Sequence, residues 1–332
     1  MNAIRNTKKL STLLQKSQKS ESSLIIKLIY RLFMLPGITF SDQTHTQQSI
    51  TETYEGITGV LISFANTAEE TPVESTHQIR KKLKLFRAFA KLVKLCSEPG
   101  AYSEANLFLR DLGREFSGLR DAHVRRFLLQ EVSLPGYSSG FKDLLNELIT
   151  FNNSIINRIE NKLLSDDNRF QWFAEKLNSI TELKGYFTNL LLSEEHIMNA
   201  FAASFEKSRL AFQSGFIFPD SEMMHEWRKR MKDVQYQTEL LSGELQAVEI
   251  SFYPTVEMLC DYLGEMNDLH MLSSWASENE DGFRHAGDLK AWISELKYRK
   301  NFLQRQAEEL GNELYQLPSA AIMDIMKSVI YE

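Results

Sequence analysis

Two runs of cations are the residues in this chain best placed to do chemistry. His77, Arg80, Lys81, Lys84 and Arg87, continued by Lys91 and Lys94, recur at steps that gather side chains along one side of a helix. No acid falls between residues 77 and 94. A second run, His225, Arg228, Lys229 and Lys232, repeats the types and the spacing, with Arg230 beside it, Tyr236 further along, and Lys207 and Arg209 upstream. Lys and Arg bind phosphate oxygens through charge-assisted hydrogen bonds, and Arg can do so bidentately. Like charges on one helix repel at about a few tenths of a kcal/mol per i,i+4 pair. A bound polyanion would remove that repulsion, and a ladder of single charges suits a repeating phosphate chain better than one small anion. The alternative is a pair of solvated helix faces, but such faces usually mix signs. The first ladder does not, and the pattern occurs twice.

The histidines that head the ladders could donate to phosphate when protonated, or sit half-buried near a helix start. Neither has a second His or a Cys at ligand spacing, so no metal site and no cofactor is expected. Asp121-Ala-His123 and Asp268-Leu-His270 resemble ligand pairs, but residues two apart do not share a helix face. Helix-start capping is the role expected for Asp121 and Asp268.

The elements that must carry these residues read as helices throughout. Ile79, Leu83, Phe86, Ala90 and Val93 recur every three or four residues, as do Leu109, Leu112, Phe116 and Leu119. Thr71 as N-cap, Pro72 at the first helical position and Glu74 in a capping box predict where the first ladder helix begins, and 98–100 where it stops. Loops are expected at 133–140, 165–168, 215–220 and 278–287, and no alternating pattern predicts a strand. The pattern also repeats. The histidines are offset by 225 − 77 = 148, and the aspartates of Arg120-Asp121 and Asn267-Asp268 by 268 − 121 = 147. Trp227, Met231, Val234 and Leu241 stand where Ile79, Leu83, Phe86 and Val93 do. A tandem duplication with halves 42–185 and 186–332 follows, preceded by a basic extension, 1–41.

The chain has 332 residues, 43% hydrophobic and 25% charged, with 7 Pro and 15 Gly, as suits a globular protein of long helices. Its net charge of −6 would repel a polyanion overall, so any such site must arise from local clustering. The cysteines, Cys96 and Cys260, give no disulfide framework, and a reducing, cytoplasmic setting is expected. The apolar run 24–35 is interrupted by Lys27 and Arg31 and is too short to span a bilayer, so 1–41 is read as an amphipathic helix rather than a transmembrane segment. No Gly-rich phosphate loop, nucleophile elbow or carboxylate cluster for Mg²⁺ is present, so no catalytic residue is assigned and the protein is expected not to be an enzyme.

The elements at 77–84 and 225–232, with the Asp turns at 120–121 and 267–268, resemble the CHAD family, the conserved-histidine α-helical domain. Phe205-Glu-Lys207-Ser-Arg209 is similar to the family's lead-in to its second repeat, and the similarity covers roughly 42–320. The resemblance implies an all-α fold: two antiparallel four-helix bundles in tandem, related by a pseudo-twofold, with a basic groove that binds inorganic polyphosphate without catalysis. By matching position the contacts would be His77, Arg80, Lys81, Lys84, Arg87, His225, Arg228, Lys229 and Lys232, followed by Lys207 and Arg209, and Lys91 joins them as the continuation of the first ladder. A general nucleic-acid or polyanion binder is one alternative, and an accessory subunit to a polyphosphate-metabolising enzyme is another. Nucleic acid is disfavoured because Phe86 and Trp227 fall on apolar faces rather than among the cations. The Glu-x-Glu-x-Lys strand of the hydrolases fused to some family members is absent. Polyphosphate granules are a candidate location within the cytoplasm. At the 147 offset Arg110, Arg114 and Arg120 face Glu257, Asp261 and Asn267, which skews the expected cation density toward the first half.

Overall fold

The computed structural model describes residues 37–40, 43–68, 70–97, 100–131, 139–163, 169–179, 194–217, 221–241 and 252–316, with 318 and 321. Residues 37–332 form one compact unit, and the expected amphipathic helix of the N-terminal stretch lies outside the described residues. Ten α-helices are described: α1 (Gln43–Asn66), α2 (Pro72–Leu92), α3 (Ala101–Glu115), α4 (Ser117–Glu131), α5 (Ser139–Asn161), α6 (Arg169–Ser179), α7 (Glu194–Ile217), α8 (Ser221–Leu241), α9 (Phe252–Glu278) and α10 (Ala286–Leu314). The described residues contain no strand, and the fold is all-helical.

The apolar periodicities have the burial they predict. Ile79, Leu83, Phe86, Ala90 and Val93 are all buried, and so are Leu109, Leu112, Phe116 and Leu119. The second set does not lie on one continuous helix, because α3 ends at Glu115 and α4 begins at Ser117, so Phe116 sits at the break. Its ring stacks on Phe170 at 5.1 Å and meets Phe173 edge-on at 5.0 Å, which ties the break to α6. The start of α2 differs from expectation in its cap. Pro72 occupies the first turn, but Thr71 makes no capping hydrogen bond and Glu74 accepts from Gln78 instead of closing a capping box. Thr71 Oγ1 is taken up by Ser75 Oγ at 3.1 Å. At the far end, α2 tightens into a 3₁₀ turn, Val93–Cys96, and Gly100, at φ +92°, opens α3.

Helix α2 is not a surface helix. It packs on α1, α3, α4, α7 and α8, and its buried set extends beyond the expected stripe to Leu85, Ala88, Phe89 and Leu92. Part of the cation ladder therefore lies against protein: Arg80, Lys84 and Arg87 are half-buried and Lys91 is buried, while His77 and Lys81 stay exposed. Helix α8 holds a matching central place, packing on α7, α9 and α2. Where α2 and α8 meet they run in opposite directions: Lys91 pairs with Asp233, Ala88 accepts from Gln237, and Lys82 lies near Glu239.

Two devices hold α8 in register with its neighbours. Trp227 packs against Phe212 of α7 with ring centroids 4.9 Å apart and tilted by 51°, and donates Nε1–H to Tyr315 Oη at 3.1 Å, while Tyr315 also bonds Ser208 at 2.6 Å. Gly311 lets α10 approach that aromatic group, since a Cβ there would come within 2.7 Å of the Phe212 ring. Arg228 follows Trp227 directly, so this anchoring sets its position.

Candidate anion-binding site

The side chains that converge between the two central helices are Arg80 and Lys84 of α2, Arg228 and Lys232 of α8, and Arg120 of α4. Their amphipathic helices bury one face in the core and so turn these long stems into the seam between α2 and α8. Lys84 lies at the centre. Burial pushes its ammonium pKa down to about 7, and the charges acting on it, Arg228, Arg80, Arg120 and Lys232, are all cations. Burial is likewise the first cause lowering the pKa of Arg80, where Asp121 opposes it, and of Arg228, where Asp268 does.

The acids of the two sequence turns do not cap helices. Asp121 lies within α4 and Asp268 in the middle of α9, and both face Arg120, at 3.1 and 3.7 Å. Arg120 is thus held between two carboxylates from two helices, and this fork fixes it at the edge of the cation group. Arg80 is held by a hydrogen bond from its guanidinium to the Gly113 carbonyl, which leaves its buried Nε–H without a partner. The Nε–H of Arg228 is buried and unpartnered too. Orphaned buried donors on two facing arginines are costly to leave unmet, and an anion oxygen would meet them. Tyr236, nearly buried, sits close enough to Arg228 and Arg120 to feel both charges.

The remaining sequence-predicted residues have other surroundings. His77 and Lys81 are exposed at the rim of the same group. Partial burial disfavours the His77 imidazolium first, Glu74 opposes, and Arg120, Lys81 and Lys84 add to the disfavour. His225 faces Asn267, with Nδ1 to Oδ1 at 3.1 Å. Arg87 donates to Asn106 at 2.9 Å. Lys91 is buried and bound to Asp233 at 2.6 Å, so it holds α2 to α8 rather than facing the seam's free charge. Lys229 pairs with Glu226 at 3.0 Å, Arg209 pairs with Glu206, and Lys207 is exposed. Arg110 and Arg114 both pair with Asp111, at 3.0 and 3.3 Å. Arg120 belongs to neither ladder, so ladder spacing does not find it; its place beside Asp121 is the sequence signal that does.

Among the described residues no cluster of three or more His, Cys, Asp or Glu could hold a metal ion, and no helix is long and apolar enough to cross a membrane.

The comparisons with known proteins agree with this geometry at the level of fold. The chain is similar to the CHAD domain of the plant Ricinus communis, with 18% identity, 85% of this chain and 91% of that one covered, and a TM-score of 0.52. It is also similar to PptA from Streptomyces chartreusis, with 14% identity, 79% of this chain and 98% of that one covered, and a TM-score of 0.56. No curated protein matches it. The family model for the CHAD domain matches residues 64–277, a span that takes in both cation ladders and both Asp turns. The chain therefore belongs to the CHAD domain family.

Proposed function

We propose that the protein binds inorganic polyphosphate, without catalysis, along the seam between α2 and α8. The observation that carries this reading is the charge balance around Lys84. Five cationic side chains meet there; of the acids beside them, Asp121 and Asp268 face Arg120, and Asp261 lies near Lys232. Such a group stands against the molecule's own net charge of −6 and destabilises the unliganded fold, which a polyanion would reverse. Arg80, Lys84, Arg228, Lys232 and Arg120 are the inner contacts in this account. His77, Lys81, Arg87, His225, Lys229, Lys207 and Arg209 form an outer rim that steers the chain inward, and Lys91 serves the packing of α2 on α8.

The proposal includes the architecture. The halves 42–185 and 186–332 are two related helical bundles about a pseudo-twofold between α2 and α8, in which α1, α2, α3 with α4, and α5 match α7, α8, α9 and α10, and α6 stands outside the match. Helix starts at 72 and 221, and at 139 and 286, differ by 149 and 147, and the single α9 stands where α3 and α4 do. With opposed α2 and α8 at the axis, a phosphate chain would meet Arg80 and Lys84 from one side and Arg228 and Lys232 from the other.

General nucleic-acid binding is the second reading, since phosphate is common to both ligands. It is less well supported, because Phe86, Trp227 and Tyr236, the last of which lies beside Arg228 and Arg120, are all buried and offer no stacking platform. Titrating the protein with long-chain polyphosphate and with single-stranded DNA of matched charge, at low and moderate salt, separates the two. Polyphosphate binding that outlasts DNA binding as salt rises is the expected result. Equal and equally salt-sensitive binding of both would contradict it.

A further inference from the structure

Beside the seam, on the α8 side, lies a small pocket lined by His225 and Arg228 of α8, Asn267 and His270 of α9 and Lys300 of α10, over a floor of Met224, Leu263 and Met266. Arg228 belongs to both the pocket and the seam group, so the two adjoin. Met224, Leu263 and Met266 are buried, so core side chains back the pocket beneath its polar residues. We propose that this pocket seats a terminal phosphate group, one carrying two negative charges, against Lys300, His270, His225 and Arg228; the inference rests on the polyphosphate reading of the neighbouring seam.

The charge pattern selects that ligand. Burial lowers the pKa of His270 first, and Lys300 and His225 lower it further, so the empty pocket resists a second positive charge. A terminal phosphate carries about −1.5 to −2 at pH 7, where an internal one carries a single charge, and it would favour protonation of the His270 imidazole. His225 lies in the first turns of α8, whose N-terminal dipole adds to the attraction. A metal ion is disfavoured, because Arg228 and Lys300 line the same space. The first half has no such arrangement at the matching positions. Arg120 stands where Asn267 does, and His123, the match of His270, is buried with Nε2 3.2 Å from Glu160 Oε1. The shorter Asn267 leaves open on one side what an arginine occupies on the other.

The test uses the full chain with His270→Gln and Lys300→Met combined, and separately Asn267→Arg, which refills the pocket as Arg120 would. Wild type and both variants are titrated calorimetrically with linear tripolyphosphate, with cyclic trimetaphosphate, which has no ends, with inorganic phosphate and with long-chain polyphosphate. Both variants should lose about tenfold in affinity for the linear trimer, or 1.4 kcal/mol, while binding the cyclic trimer within about twofold of wild type. Inorganic phosphate that binds wild type but neither variant would support the seat with free phosphate as a further occupant. Loss of linear and cyclic trimers alike, or of neither, in variants with wild-type helical content would overturn the inference. Failure of wild type to bind long-chain polyphosphate would instead sink the seam reading on which it rests.

Discussion

Lys84 is the residue through which the site should be most visible in solution. Its folded pKa of about 7 lies below the ~10.4 of an unfolded chain, so between those values the unfolded state holds the extra proton. The Lys84 contribution to stability therefore rises with pH across that window, and below pH 7 the full penalty is present, on the order of 5 kcal/mol. Lys84→Met should raise the thermal midpoint of the unliganded protein at pH 6, by about 2 °C or more, and by less at pH 9. The same substitution should weaken polyphosphate binding, a trade of function for stability. Wild-type affinity should fall between pH 6 and pH 9, because Lys84 must take up a proton to meet the anion, and the variant should flatten that profile in calorimetric titrations. Asp268 offers the opposite test. Asp268→Asn removes one carboxylate facing Arg120 and acting on Arg228, so it should lower stability by about 1 kcal/mol in denaturant unfolding while tightening polyphosphate binding.

At the scale of the helix, Lys91 and Asp233 couple the two central elements across a largely buried interface. Lys91→Ala should cost about 2 kcal/mol by leaving Asp233 short of its partner, and a double-mutant cycle with Asp233→Ala should return a favourable coupling. Polyphosphate affinity should change little, because Lys91 is occupied. Gly311→Ala should cost about 1–3 kcal/mol, since the added methyl meets the Phe212 ring. Much of this level was legible beforehand. The three-and-four spacing of Ile79 through Val93 placed the buried face of α2, because burying such a stripe is what a helix in a core requires. The sequence could not reveal that the opposite face is covered as well, since a charged face reads as solvated until a partner helix is known. The Glu74 capping box failed for a local reason: Gln78, one turn on, offers its carboxylate a competing donor. The break at Phe116 left no mark in the periodicity, because Leu109, Leu112, Phe116 and Leu119 stay buried on both sides of it. Pairing across the seam, which separates Lys91 from Lys84 and adds Arg120, is long-range geometry that spacing on one helix does not encode.

For the molecule as a whole, the repeat in the sequence was the strongest guide, because two ladders at one offset place two cation rows in equivalent helices, and the structure sets those helices side by side. The family match, over 64–277, spans both ladders and shows the family, while the duplication itself rests on the sequence offsets. The central claim is that local cation density, set against an overall charge of −6, makes a polyphosphate site at the seam. Its most direct test is titration of long-chain polyphosphate into wild type and into a variant with Arg80, Lys84, Arg228 and Lys232 all replaced by Ala, with helical circular dichroism measured on both. A folded variant that has lost polyphosphate binding by at least a hundredfold is the predicted result. A folded variant that binds polyphosphate as tightly as wild type would contradict the account.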